Sequence, residues 1–376
     1  MPDPALRLLR LRLERFRCYA SLTWEPESAV VVITGPNGSG KTNLLEAISL
    51  LVPGRGLRGA RIGELMEVGA QDWAVHGRFD TPEGVMEIAT GTPPDGAQDR
   101  RVFRLDGMPP RSQAVLAERA AAVWVTPQMD RLFQEGASGR RRFLDRLVYA
   151  LQPSHAREVA AFETAMANRN RLLGEGRADP AWLAGLEDAM ARHAVAATAA
   201  RMALVAHVNE AAPPGDFPRA RVGLMCPIGA RMAESPALAV EDWLRDALAA
   251  GRQADARSGG AAMGAHRADM SLEDAASGVA AGLASTGQQK ALLIGVVLAH
   301  ALLLAQARGF APVLLLDEPA VHLDARRRAA LFATLLALPA QCFLTGTDAD
   351  LFKPLRGHAR GFLAGAGRMV PDPEIG

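Results

Sequence analysis

Residues 29–46 read AVVVITGPNGSGKTNLLE, and this stretch decides the fold. The run at 29–34 is apolar and β-branched, as a buried strand requires, and 41–52 (KTNLLEAISLLV) has the spacing of a helix. Between them Gly35, Pro36, Asn37, Gly38, Ser39, Gly40, Lys41 and Thr42 satisfy the phosphate-binding pattern G-x-x-x-x-G-K-[ST] in full. Strand, glycine loop and helix is the context that pattern needs. The glycines permit tight turns that aim N–H groups at phosphate oxygens, and the helix N-terminus adds partial positive charge. Lys41 is expected to reach the β- and γ-phosphates, and Thr42 to place its hydroxyl on Mg²⁺. Of 42 Lys and Arg residues only Lys41, Lys290 and Lys353 are lysine, so a compact ammonium is kept where a phosphate needs a point charge.

With 376 residues, two lobes are expected, each able to bury a core. Hydrophobic content of 49% and charged content of 22% suit a soluble globular protein. The net charge of +1 makes any DNA-binding surface a local patch. Cys18, Cys226 and Cys342 lack metal-ligand spacing, which points to a reducing, cytoplasmic compartment and to buried or half-buried thiols. Leu9, Leu11 and Leu13 alternate with Arg10, Arg12 and Glu14, so the Arg-rich start is read as a strand and not as a targeting peptide. The apolar run 291–307 is short for a bilayer and carries His300 and Gln306, which predicts a core helix and no membrane partner.

Pro53-Gly54 is expected to stop the first helix, and the basic segment that follows offers Arg55, Arg58 and Arg61 to phosphate. Residues 73–105 alternate as in an antiparallel sheet, and 123–126 reads as another core strand. From about 130 to 256 the pattern turns to long Ala/Leu/Arg-rich helices, broken at Pro153, 174–180 and Pro213-Pro214-Gly215. The fold class expected is therefore α/β, a mixed-sheet P-loop ATPase head with an antiparallel subdomain. Residues 1–129 and 257–376 form its halves, and a mostly helical arm, 130–256, is inserted between them. Residues 259–262 are read as a flexible return.

Residues 313–318 (VLLLDE) form an apolar strand ending in two carboxylates. Downstream of such a loop, Asp317 would hold Mg²⁺ and Glu318 would orient and deprotonate the attacking water. Ahead of it, 283–290 (LASTGQQK) opens a long helix and resembles the signature motif of the ABC ATPase superfamily. That resemblance implies that Ser285, Gly287 and Gln288 bind the γ-phosphate of ATP held by another subunit. Leu323-Asp324 stands where such ATPases carry a D-loop, and Thr345 and Thr347 stand where many carry a switch histidine.

Over nearly its whole length the chain resembles the RecF family of bacterial recombination-repair ATPases, relatives of the SMC-type ATPase heads. The resemblance rests on LRLERFRCYASLTW at 11–24, the phosphate loop, LLVPGRGLRG at 50–59, TPQMDRLFQEGASGRRRFLD at 126–145, NRNRLL at 168–173, GAHRADM at 264–270, STGQQK and LLLDEPAVHLD. It implies an ATP- and Mg²⁺-dependent homodimer that binds DNA at single-strand/double-strand junctions of gapped DNA. Slow, DNA-stimulated ATP hydrolysis would serve release, and RecO and RecR would be partners in loading the RecA recombinase. Gln128 falls where SMC-type relatives carry a Q-loop glutamine that contacts Mg²⁺ and water. The chain departs from the family where Gln128-Met129 replaces Glu-Asp, where Thr286 replaces arginine, and at Val321-His322. Arg140, Arg141 and Arg142 are, with Arg55, Arg58 and Arg61, the candidate DNA-phosphate contacts. An alternative reading is the ATPase subunit of an ABC-type transporter, which Asp-Glu-Pro after the strand would suit.

Overall fold

The structure, a computed structural model, describes residues 6–176 and 179–375. The chain divides into two compact units. One comprises Met1–Arg131, Ala211–Ala220 and Leu283–Gly376; the other comprises Leu132–Glu210 and Arg221–Gly282. The inserted unit thus reaches beyond position 256, and it is interrupted by ten residues that pack with the ATPase unit. Those ten are held by backbone: a Cβ on Gly295 would lie 2.5 Å from the Pro218 carbonyl, and the Thr334 hydroxyl donates to the Pro214 carbonyl at 3.0 Å.

The ATPase unit opens with β1 (Arg7–Phe16), β2 (Tyr19–Trp24) and β3 (Val30–Thr34), followed by α1 (Lys41–Ser49). Then come β4 (Ala74–Thr81), β5 (Gly84–Gly91), β6 (Val102–Leu105), α2 (Gln113–Arg119) and β7 (Ala122–Val125). A five-stranded antiparallel sheet runs β2-β1-β4-β5-β6. The register slips between Leu8 and Arg10, so Leu8, Leu11 and Leu13 are buried while Leu9 turns outward, against the simple alternation of the sequence. Helix α1 ends at Ser49, short of Val52. The Ser49 hydroxyl donates to the Glu46 carbonyl and accepts from the Leu57 amide, both at 2.7 Å, and so turns the chain back.

The inserted unit contributes α3 (Ala137–Leu151), α4 (His155–Glu175), α5 (Pro180–Glu210), β8 (Ala220–Met225), α6 (Pro227–Met232), α7 (Ala237–Ser258) and β9 (Asp269–Asp274). Strands β8 and β9 pair, which is why the insert extends so far. Its core holds a buried ionic knot: Arg169 donates to Glu187 at 2.9 Å, to Asp255 at 2.7 Å and to the Leu248 carbonyl at 2.6 Å, tying α4, α5 and α7 together. The expected flexible return is instead a built turn. Gly259 adopts φ 77°, Asp255 accepts from the Ala262 amide at 3.0 Å, and Ala261 is buried. Gly176, at φ 69°, caps α4; residues 177 and 178 of the predicted break lie outside the described residues.

Back in the ATPase unit follow α8 (Thr286–Arg308), β10 (Val313–Leu316), α9 (Ala325–Ala337), β11 (Cys342–Gly346), β12 (Arg360–Gly365) and β13 (Arg368–Pro371). The second sheet runs β13-β12-β3-β11-β10-β7, parallel except for the β13 edge. Strands β3, β10 and β11 are buried at every position, as central parallel strands must be. Helix α8 is long and apolar enough to span a membrane by composition, yet 78% of its apolar window is buried in the protein. Cys226 and Cys342 are buried, but Cys18 is exposed because it sits in the β1–β2 turn, which corrects the expectation for that thiol.

The two sheets share one apolar core around α1, including Leu13, Ile33, Leu44, Ile48, Trp73 and Phe343. A single buried amide also joins them: Gln341 accepts from the Leu8 amide at 2.6 Å and donates to the Leu8 and Ser28 carbonyls at 3.2 and 2.9 Å. Gln341→Leu removes those three bonds. It is expected to lower unfolding stability by roughly 1–3 kcal/mol, read from the midpoint of a urea transition.

Candidate nucleotide site

The site forms where β3, β11, β10 and β7, neighbours in the parallel sheet, reach their C-terminal ends, the usual ligand edge of an α/β sheet. After β3 the chain turns through the glycine loop into α1. Gly40 adopts φ 102°, and a Cβ there would lie 2.6 Å from the Tyr19 hydroxyl, which donates to the Gly40 carbonyl at 3.1 Å. Lys41 is nearly buried, and its ammonium donates to the Gly35 and Pro36 carbonyls at 2.8 and 2.9 Å. Burial pushes its pKa down, and the carboxylates of Glu318 and Asp317 oppose that shift. The Ser39 hydroxyl is buried without a hydrogen-bond partner among the described residues, a group that a phosphate oxygen would satisfy.

Thr42 and Asp317, 275 residues apart, meet: the hydroxyl donates to both carboxylate oxygens at 3.0 and 3.1 Å. Thr345 on β11 donates to the same carboxylate at 2.7 Å and accepts from the Glu318 amide at 3.0 Å. Hydroxyl and carboxylate oxygens are hard donors, the set Mg²⁺ shares with nucleotide phosphates. Among the described residues no group of three or more His, Cys, Asp or Glu could hold a metal by itself. Asp317 is buried and Glu318 half-buried beside it, with its backbone in the left-handed region at φ 52°. Gln128 lies just beyond β7, exposed, in the 3₁₀ turn Pro127–Arg131. The Asp317 amide bonds the Val125 carbonyl at 2.9 Å, which sets that turn beside the end of β10.

Ser285, Gly287 and Gln288 stand apart from the loop, making no hydrogen bond to residues 35–42 among the described residues. Ser285 is the N-cap of α8 in a reciprocal capping box: its hydroxyl accepts from the Gln288 amide at 3.4 Å, and the Gln288 side chain accepts from the Ser285 amide at 2.9 Å. The helix N-terminus is open to solvent. Gly287 has a further reason to be glycine, since a Cβ there would lie 2.3 Å from the His322 carbonyl. His322 is itself left-handed at φ 68°, and Asp324 two residues on caps α9.

The candidate DNA arginines separate into two groups. Arg140 is committed to Asp269, with two bonds at 2.8 Å, and to the Leu132 and Glu135 carbonyls. Arg141 donates to the Ala268 carbonyl at 2.8 Å, and Arg58 to Asn43 and to the buried carboxylate of Glu46. Arg55, Arg61 and Arg142 are exposed. Sequence reasoning missed Glu46, Arg17 and Tyr19, which brace α1 and the loop from behind; Arg17 grips Glu46 with two bonds at 2.8 Å. The only signal for that pair is a carboxylate on the apolar face of a helix.

The family model described as the RecF/RecN/SMC N terminal domain matches residues 7–358. A "DNA replication and repair protein RecF" from Mesorhizobium japonicum is 44% identical over 370 residues, covering 97% of this chain and 98% of that one. One of the same description from Brucella suis biovar 1 is 45% identical over 375 residues, covering 98% and 97%. Among solved structures, that of the recombination mediator protein RecF-ATPrS in the RecFOR pathway superposes with a TM-score of 0.84 at 22% identity, covering 99% of this chain and all of that one. An Smc head domain from Pyrococcus furiosus reaches 0.50 at 15% identity over 98% of this chain and 96% of the other. The likeness to these structures establishes the mixed α/β ATPase-head fold.

Proposed function

The chain belongs to the RecF family, and from that premise we propose that it is an ATP-driven DNA clamp of recombinational repair. It acts in the cytoplasm on gapped DNA at single-strand/double-strand junctions, and with RecO and RecR it promotes RecA loading. The glycine loop binds ATP, Lys41 neutralising the β- and γ-phosphates. Thr42 and Asp317 would hold Mg²⁺, which would supply charge neutralisation on the same phosphates. Glu318 takes the proton of the attacking water, and Gln128 orients that water. Slow hydrolysis, stimulated by DNA, releases the clamp. DNA phosphate is met by Arg55, Arg61 and Arg142, exposed arginines of the two patches.

One observation carries the proposal. Lys41, Thr42, Asp317 and Glu318 assemble within one chain, while the Ser285 helix N-terminus is left open with no nucleotide-loop partner of its own. Two such half-sites complete each other in a homodimer, so ATP favours the closed state through contacts that exist only there. Ser285→Arg tests this. The variant is expected to bind ATP within about twofold of wild type and to lose ATP-dependent dimerisation, because a bulky cation blocks the anion-binding helix end. Light scattering with and without ATP, on gapped DNA, single strand and blunt duplex in parallel, reads the result. A variant that dimerises like wild type would leave Ser285 as a helix cap alone.

A further inference from the structure

Glu318 carries a side chain in a backbone region that only glycine enters freely, so something must hold it there. Two side chains do. Thr345 accepts from its amide at 3.0 Å, and the ammonium of Lys290 donates to its carbonyl at 2.7 Å. Lys290 belongs to α8, one turn beyond the Ser285 cap, and is 1% exposed. Its second partner is Asp130 at 3.4 Å, in the same short turn as Gln128. The other Asp130 oxygen is buried without a hydrogen-bond partner among the described residues. One ammonium therefore touches the strained peptide of the proposed base, and it joins the helix that opens with Ser285 to the turn that bears Gln128.

We infer that Lys290 is a positioning residue for ATP hydrolysis: its bond to the Glu318 carbonyl fixes the direction of the Glu318 carboxylate and ties that direction to the position of α8. The three elements it joins are those that the ATPase reading assigns to the base, the water-orienting glutamine and the partner's phosphate, and the inference rests on that reading. A buried lysine is a costly device for packing alone, since burial pushes its pKa down while Asp130, Glu318 and Asp317 work against the shift. Movement of α8 on engaging a second subunit then reaches the base directly, through one side chain and without any change in the nucleotide loop.

The test compares full-length Asp130→Asn, Lys290→Met/Asp130→Asn and Glu318→Gln by thermal unfolding, ATP affinity and steady-state kinetics. Removing both members of the ion pair avoids an orphaned buried carboxylate. The double variant is expected to unfold near the wild-type temperature, to keep Kd and KM within about twofold, and to lose kcat by about 10- to 100-fold, the scale of a misplaced catalytic group. Asp130→Asn alone retains the carbonyl bond and should keep near wild-type kcat. A folded double variant with wild-type kcat overturns the inference. So does a loss of kcat in Asp130→Asn as large as in the double variant, or a fall of stability, affinity and kcat together in the double variant, since each makes Lys290 half of a structural ion pair. Wild-type turnover by Glu318→Gln would instead overturn the assignment of the base and leave the loop's role in binding intact.

Discussion

Lys41→Met is expected to abolish measurable ATP binding and to leave the fold as it is. Among the described residues the ammonium donates to two carbonyls, those of Gly35 and Pro36 in its own loop. Against phosphate the same group makes charge-assisted bonds worth roughly 1.5–3 kcal/mol each. Two of them amount to at least about 100-fold in affinity, at 1.4 kcal/mol per factor of ten. Burial already disfavours the charged form of Lys41, so anionic phosphates are the partner that restores it. A titration with a fluorescent ATP analogue, alongside a thermal melt, reads both halves of the expectation. Undiminished affinity would sink the reading of 35–42 as the phosphate loop, and a collapsed melt would make Lys41 a packing residue.

Glu318→Gln should separate binding from chemistry. The contacts that pin residue 318 run through its backbone amide and carbonyl, which glutamine keeps. Only the basic carboxylate is lost, and removing a general base slows the chemical step by about 10²–10⁴-fold. ATP affinity should stay near wild type, and the closed dimer should accumulate because hydrolysis no longer dissolves it. Phosphate release and dimer lifetime on gapped DNA measure the two effects. Turnover at the wild-type rate would shift the proton acceptor to another group at the sheet edge.

The readable part of this site is the part written in contiguous residues. The strand expected at 29–34 stands at Val30–Thr34, and the helix expected at 41–52 starts at Lys41 as read but ends at Ser49; the loop between them follows a contiguous motif. The apolar runs at 123–126 and 313–316 read correctly as buried strands because a central parallel strand needs nothing but apolar residues. What escaped depends on partners far along the chain. Arg140 looks like a free cation beside Arg141 and Arg142, until Asp269, 129 positions later, takes two of its N–H groups. Arg58 is likewise bound by Glu46, whose one local signal is a carboxylate on the apolar face of α1. Lys290 is the extreme case, for its principal partner is a backbone carbonyl. The inserted unit reaches past residue 256 to Gly282 for a related reason, since β9 is held by pairing with β8 across the whole of α7.

The order of strands in the parallel sheet has a consequence for how the protein is made. β3, which launches the phosphate loop, is flanked by β11 and β12, so both of its neighbours are translated more than three hundred positions after it. A nascent chain that has passed residue 282 already contains the whole inserted unit, with the knot around Arg169 ready to close. At that moment β3, apolar through residues 30–33, still has two open edges of unpaired N–H and C=O groups, the kind of surface that recruits other strands. The insert can therefore finish on the ribosome while the ATPase unit waits for residues up to about 365. Until they emerge, the loop that is first in the sequence is the last to gain its support.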